Sequence, residues 1–252
     1  MATSSSLTKH MPVTKLIAIH GRSATGVSRP FLCEGDQGQS FVVKSRNVGS
    51  EQLVMEYLLA HLAEEYGLPV APFELVDVPP LLADHALVTD AHELSPGPAF
   101  GSQAIPFADD LRESHLAHIP DDQKIACLCF DWWVSNSDRR LEMLGSGSNL
   151  LWDPGMQSLV VIDHDRALDP HFDADRFKKT HAFRDVRPFI EKPTLDKLRT
   201  KFESAIYNLK EHWNELPKEW VKEMKEATGL TRHKVETQLL KPKHGVDTIL
   251  PA

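Results

Sequence analysis

Residues 136–165 read NSDRRLEMLGSGSNLLWDPGMQSLVVIDHD. Asn149–Trp152 and Leu159–Asp163 are short apolar runs joined by Asp153-Pro154-Gly155, a strong turn signal, so the stretch predicts a β-hairpin. Asp138 precedes it, Asn149 opens its first strand and Asp163 closes its second. Such residues serve in ordinary turns. They are also the set that phosphoryl transfer requires: one Asp at the attacking hydroxyl, an Asn and a second Asp on magnesium. Asp163 fits the turn reading worst, because a carboxylate ending a buried apolar strand needs a partner.

Outward from the hairpin the chain changes character. Upstream, residues 122–134 place Ile125, Leu128, Cys129, Trp132 and Trp133 on one helical face. Downstream, Leu195, Leu198, Phe202, Ile206, Leu209 and Trp213 mark an amphipathic helix. Pro217 opens another, with Trp220, Val221 and Met224 inward, and Gly229 ends it. The first part of the chain is β-rich. LIAI (16–19), FLCE (31–34) and FVVK (41–44) read as strands, with a turn at Gly35-Asp36-Gln37-Gly38. Ser50 reads as the cap of a helix with Leu53, Val54, Tyr57, Leu58 and Leu62 in phase, stopped by Gly67 and Pro69. Extended, Pro-rich chain follows, with Ala86-Leu87-Val88 as a strand and FGSQAIPF (100–107) as another leading into a loop. The pattern predicts an α+β protein of two lobes. The β-rich N-lobe with one helix spans 12–107 and the mainly helical C-lobe 108–240, between a disordered tail at 1–11 and a polar tail at 241–252.

Composition bounds the function. The 252 residues are 41% hydrophobic and 25% charged, with a net charge of −8, which speaks against a general nucleic-acid binder. No run approaches the roughly 18 apolar residues of a membrane span. The start, MATSSSLTKHM, lacks the apolar core of a signal peptide. Cys33, Cys127 and Cys129 have no framework spacing and read as reduced thiols of a cytoplasmic protein. The C-x-C pair reads as core, with no second pair to complete a zinc site.

The remaining parts for phosphoryl transfer stand in kinase order. A Gly/Ser-rich loop, Gly21–Arg29, precedes a strand; Lys44 ends a Phe-Val-Val run; Glu56 lies on the following helix, out of phase with its apolar stripe and so expected at a cleft edge. Taken singly, each has an ordinary reading: a surface lysine, a solvated glutamate, a loop without G-x-G-x-x-G or Gly-Lys-Ser/Thr. The ordered set is stronger than its members.

The stretch FDWWVSNSDRR…SNLLWDPGMQSLVVIDHDRAL resembles the HipA-like kinases, a bacterial branch distantly related to the eukaryotic protein and phosphoinositide kinases, and the shorter HipA-like domain proteins above all. SATGVSRPF is similar to their Ser-x-x-Gly phosphate loop, and the resemblance runs from about residue 15 to 190. It implies a protein-kinase-like fold, ATP and Mg2+ as cofactors, and a Ser/Thr protein as acceptor. Asp138 would be the catalytic Asp, with Asn136 and Arg139 shaping its loop. Asn149 and Asp163 would hold magnesium; Lys44 would contact phosphate with Glu56 as its partner. Ser23 and Gly26 belong to the phosphate loop, Ser23 being an autophosphorylation site by analogy, and the backbone of Gln103–Pro106, including Ile105, would meet adenine. Two departures stand out. Asn149 follows Asp138 by eleven residues where kinases commonly place five, and Arg140 stands where the fold family often has His. Large relatives carry an extra N-terminal region for partner binding; no room for one is read here, and no DNA-binding antitoxin is assumed.

Other readings stay open. A pseudokinase or interaction module would keep the fold without turnover, and a small-molecule or lipid hydroxyl could replace the protein acceptor, although no basic amphipathic helix favours a membrane substrate. The run DHDRALDPHFDADRFKKTH (163–181) invites a calcium or hydrolase site. An EF-hand counted from Asp163 would need Gly and Glu where Leu168 and Ala174 stand, and no H-E-x-x-H occurs. His164, His171 and His181 therefore read as solvated or hydrogen-bonded.

Overall fold

The computed structural model describes residues 13–23, 29–85, 88, 90–141 and 148–251. The chain is α+β. Five strands close into a barrel: β1 (Thr14–Arg22), β2 (Phe31–Gly35), β3 (Ser40–Lys44), β4 (Phe73–Val78) and β5 (Gly97–Gln103), in the order β1-β2-β3-β5-β4. All neighbours are antiparallel except β1 and β4, whose parallel pairing of Thr14 with Val76 and Lys15 with Asp77 closes the sheet. Closure leaves no long unpaired edge. The barrel interior is filled by Leu16, Ile19, Phe31, Phe41, Val43, Val76 and Ala99. Gly101 is required there: a Cβ would lie 2.8 Å from Cγ1 of Val76.

The predicted hairpin of β2 and β3 is present, with Gly38 left-handed in its turn at φ 81°. Three local expectations change. The strand after the first helix is Phe73–Val78, in a region expected to be merely extended, and Glu74 and Asp77 disguise it because acids are poor strand formers. The next strand starts at Gly97, with Pro98 near its beginning, where proline is tolerated. Of the strand expected at 86–88, Ala86 and Leu87 lie outside the described residues, and Val88 is not in a strand.

Helix α1 (Ser50–Tyr66) follows β3. Its N-cap is Gly49, at φ 96°, and not Ser50, whose hydroxyl instead donates to Glu223. Gly67, left-handed at φ 100°, ends it as expected. After the short α2 (Pro80–His85), strand β6 (Asp109–Asp110) pairs with the predicted hairpin, β7 (Leu150–Asp153) and β8 (Ser158–Val161). Asp153 accepts from the amides of Gly155 and Met156, so its side chain builds the turn. The other helices are α3 (Asp121–Trp133), α4 (Ala174–Thr180), α5 (Lys192–Glu215), α6 (Lys218–Thr228) and α7 (Arg232–Leu240). They form a second, larger core with α1, including Leu58, Leu62, Trp132, Trp133, Phe202 and Trp220. The stretch expected to be a C-terminal tail packs onto this core: Ile249 is buried, Arg187 donates to the carbonyls of Ile249 and Leu250, and Trp132 Nε1 donates to Gly245. The N-terminal tail expected at 1–11 lies outside the described residues. No helix among the described residues is long and apolar enough to cross a membrane, and all three cysteines are free and buried.

Candidate active site

Lys44, the last residue of β3, points out of the barrel wall and meets three carboxylates. Its Nζ donates to Glu56 at 2.9 Å, Asp163 at 2.7 Å and Asp165 at 3.3 Å. Glu56 comes from α1, and the two Asp residues from the chain just after β8. The lysine therefore ties the barrel to residues 12 and 119–121 positions away. Glu56 lies inside the protein, not at a cleft edge: only 2% of its side chain is exposed. Phase gave the wrong place because α1 is buried on nearly all sides. Glu56 also accepts from the backbone amide of His164 at 3.1 Å.

The charges follow from this crowding. Burial disfavours an ammonium, yet the carboxylates of Glu56, Asp163 and Asp165 outweigh it and hold Lys44 protonated well above its usual range. Burial would raise Glu56, but Lys44 and the contacts of His164 hold it well below the usual carboxylate range. Asp165 goes the other way. Burial, reinforced by Asp163 and Glu56, pushes it up to about 7 against the pull of Lys44. One cation cannot satisfy three crowded acids, one of them fully buried.

A second layer places the loop of Asp138. Asn136 accepts from the amide of Asp138 at 3.1 Å, and Asn149 Nδ2 donates to Asp138 Oδ2 at 2.8 Å. The eleven-residue separation is thus bridged in space, while residues 142–147 of the insert lie outside the described residues. The carbonyl of Asn149 accepts from Ile162, the residue before Asp163. Asn149 and Asp163 are both left-handed, at φ 55° and 56°, a conformation Asn and Asp tolerate best among non-glycine residues.

Beneath them lies a network that sequence reading missed. Asp131, on α3, is fully buried and accepts from Arg139, from Asn136 at 3.3 Å and from the ring of His181 at 3.0 Å. Arg139 also donates to the carbonyls of Ile162 at 3.1 Å and Asp163 at 3.3 Å. One guanidinium thus joins the Asp138 loop to the backbone of Asp163. Burial would raise Asp131, but Arg139 and His181 keep it a carboxylate. Burial keeps His181 and His164 neutral. The signal for Asp131 was available: a lone acid inside ACLCFDWW, where a charge must be paired. The expectation that His164 and His181 are solvated or hydrogen-bonded holds for His181, which is bonded, while the ring of His164 is buried.

The remaining candidates are placed unevenly. Ser23 ends the described part of the loop after β1, its amide donating to Pro30; Gly26 lies outside the described residues. Gln103 ends β5 next to Phe41, and its amide and that of Ala104 are committed to Pro72 and Ser40. Only the chain from Ile105 onward continues past the sheet. The carboxylate oxygens of Glu56, Asp163 and Asp165 lie within 4.8 Å of one another, an all-oxygen set that suits a hard divalent cation such as Mg2+.

A lysine on a strand paired with a glutamate on the next helix, facing acids at the end of a later hairpin, is the arrangement of a kinase site. The HipA-like kinase family model matches residues 16–245, most of the chain. No curated protein matches it. The chain belongs to the HipA-like kinase family, and that membership supports a kinase-type phosphotransferase.

Proposed function

We propose that this chain is an ATP- and Mg2+-dependent kinase that transfers the γ-phosphate to a Ser or Thr hydroxyl of a protein. The observation that carries the reading is Lys44, bonded at once to Glu56 and Asp163. Bound Mg2+ would neutralise phosphate charge and the acids around it. The protein's own residues do the rest. Glu56 and the His164 amide fix the direction of Lys44, which stays charged and addresses phosphate oxygens. Asp163, Asp165 and Asn149 offer oxygen ligands to the metal. Asp138, oriented by Asn136 and Asn149, accepts the hydrogen bond of the acceptor hydroxyl and aligns it. Arg139 keeps these two groups in register through the Asp163 carbonyl.

The test is transfer of labelled γ-phosphate from Mg-ATP to the chain and to lysate proteins, comparing wild type with Asp138→Asn and Asp163→Ala. Loss of labelling in both variants is the expected result, and a labelled lysate protein identifies the acceptor. Labelling that survives both substitutions overturns the assignment. A second reading, a nucleotide-binding module without turnover, draws on the engagement of Asn149 by Asp138. It predicts a melting temperature raised by Mg-ATP with no transfer.

A further inference from the structure

A cavity of about 270 Å³ lies where the end of α3, the chain after β8 and the stretch after α7 meet, and it shares no lining residue with the Lys44 cluster. Leu168, Pro170, Phe172 and Pro242 give it apolar walls. Ser135, Gln238, Lys241 and Lys243 bring donors to it, and none of these four side chains has a hydrogen bond or ion pair with a described residue. Asp169 is the single acid of the lining, and its Oδ1 already accepts from the amide of His171 at 2.8 Å. His244 is held in place: its Nε2 donates to the carbonyl of Trp132 at 2.6 Å, and its ring packs on Trp132 and Phe172 at centroid distances of 4.3 and 4.8 Å. Two strained positions border the same space. Ser135 and Leu168 are left-handed, at φ 55° and 58°, a conformation costly for serine and more so for leucine. They belong to segments that are tied together, since the amide of Leu168 donates to the carbonyl of Val134 at 2.6 Å. Such strain collects at ligand clamps and switch regions.

We propose that this cavity binds a small organic acid, a carboxylate on an apolar body, and that the ligand sets the spacing between the Asp138 loop and Asp163. Charge selects the head group. Two lysines stand against one acid in the lining, and Lys178, 5.0 Å over the Trp132 ring, adds positive field nearby. Burial holds His244 neutral, so it adds no charge of its own. A carboxylate meets these ammonium groups and the Gln238 amide in charge-assisted hydrogen bonds. Asp169 in the same lining disfavours a second negative charge, so a carboxylate fits better than a phosphate. The apolar body packs on Phe172 and Pro242, where its burial adds to the binding. Size excludes larger ligands: 270 Å³ falls just below the range of about 300–1,000 Å³ that holds drug-sized molecules, which suits a one-ring or short-chain acid and not a nucleotide. Coupling follows from the lining. Ser135 precedes Asn136, whose side chain orients Asp138, and Leu168 follows Asp163 in the same segment. A ligand that touches both segments and prefers one spacing shifts the pair toward it. This consequence rests on the kinase reading; the binding site does not.

The test is titration of the full chain with benzoate, neutral benzamide and cationic benzylamine, read by calorimetry and melting temperature. Benzoate is expected to bind once per chain with a Kd of about 1 mM or below, and the two analogues at least about tenfold more weakly. The double variant Lys241→Gln, Lys243→Gln should weaken benzoate at least about tenfold. It should leave the melting temperature of the free chain unchanged, because both side chains are exposed. Gln238→Trp, at an exposed position of α7, fills the cavity and should abolish binding without removing a charge. Benzoate that fails to bind wild type at about 10 mM, binds no better than benzamide, or binds the double lysine variant unchanged overturns the proposal. Binding lost in Asp163→Ala but kept in the double lysine variant puts benzoate at Lys44 and overturns it too. Phosphotransfer is read separately. Benzoate should change its rate at least about twofold in wild type and not in the double lysine variant. An unchanged rate in a chain that binds benzoate refutes the coupling, and a chain that binds benzoate but transfers no phosphate refutes only the kinase reading.

Discussion

Asp165 offers the sharpest test of the carboxylate cluster, through Asp165→Asn. Its side chain is 7% exposed and lies 3.3 Å from an ammonium already shared with Glu56 and Asp163. A carboxyl moved from 3.8 to about 7 corresponds to up to about 4 kcal/mol between its two protonation states. The folded state holds this proton where the unfolded chain has released it. Stability therefore falls as pH rises through the window from about 4 to about 7, and the full cost is present above it. The amide keeps the shape and removes the charge. Asp165→Asn should gain about 2–4 kcal/mol over wild type at pH 8, the lower figure allowing for the lost attraction to Lys44, and about 0–1 kcal/mol near pH 4.5. Urea unfolding followed by tryptophan fluorescence, without divalent ions, measures both. Equal differences at the two pH values, or a variant less stable than wild type at pH 8, would refute the reasoning.

Two further predictions concern other parts of the fold. Asp131→Asn leaves the buried Arg139 without its carboxylate and should cost about 3–5 kcal/mol in urea unfolding; a loss below about 1 kcal/mol would show that His181 and the backbone carbonyls suffice. Gly101→Ala sets a methyl 2.8 Å from Val76 and 3.1 Å from Phe41 inside the barrel and should cost about 1–3 kcal/mol; an unchanged melting temperature would mean that the wall yields freely.

What could be read from sequence follows from what is local. The hairpin of β7 and β8 was legible because Asp153-Pro154-Gly155 carries its own turn chemistry. The helices α5 and α6 were legible because each has one buried face, with Leu195, Leu198 and Phe202 at helical spacing. Lys44 and Glu56 were found by order, but the burial of Glu56 was not, since it depends on which elements surround α1. Barrel closure was equally hidden. It rests on the parallel pairing of Thr14 with Val76, sixty-two residues apart, and no local pattern encodes that register. Asp165 escaped notice because the second acid in DHD reads as a solvated loop residue until Lys44 is seen beside it.

The ion pairs explain why these residues belong together. The barrel and the helical core are separate clusters of buried apolar side chains. Apolar contact is tolerant of small shifts, so it cannot by itself hold a reacting geometry. Lys44 crosses between the clusters with directional bonds to Glu56 and Asp163, and Arg139 repeats the device below, from Asp131 to the Asp163 carbonyl. Asp163 is where the two chains of bonds meet, by its carboxylate above and its carbonyl below. Its left-handed backbone, at φ 56°, turns the two groups toward these different partners. A buried ion pair adds little net stability compared with apolar packing, but its bonds are directional, and removing one partner costs about 3–5 kcal/mol. Electrostatic pairing at this point thus fixes position where packing alone would leave it loose.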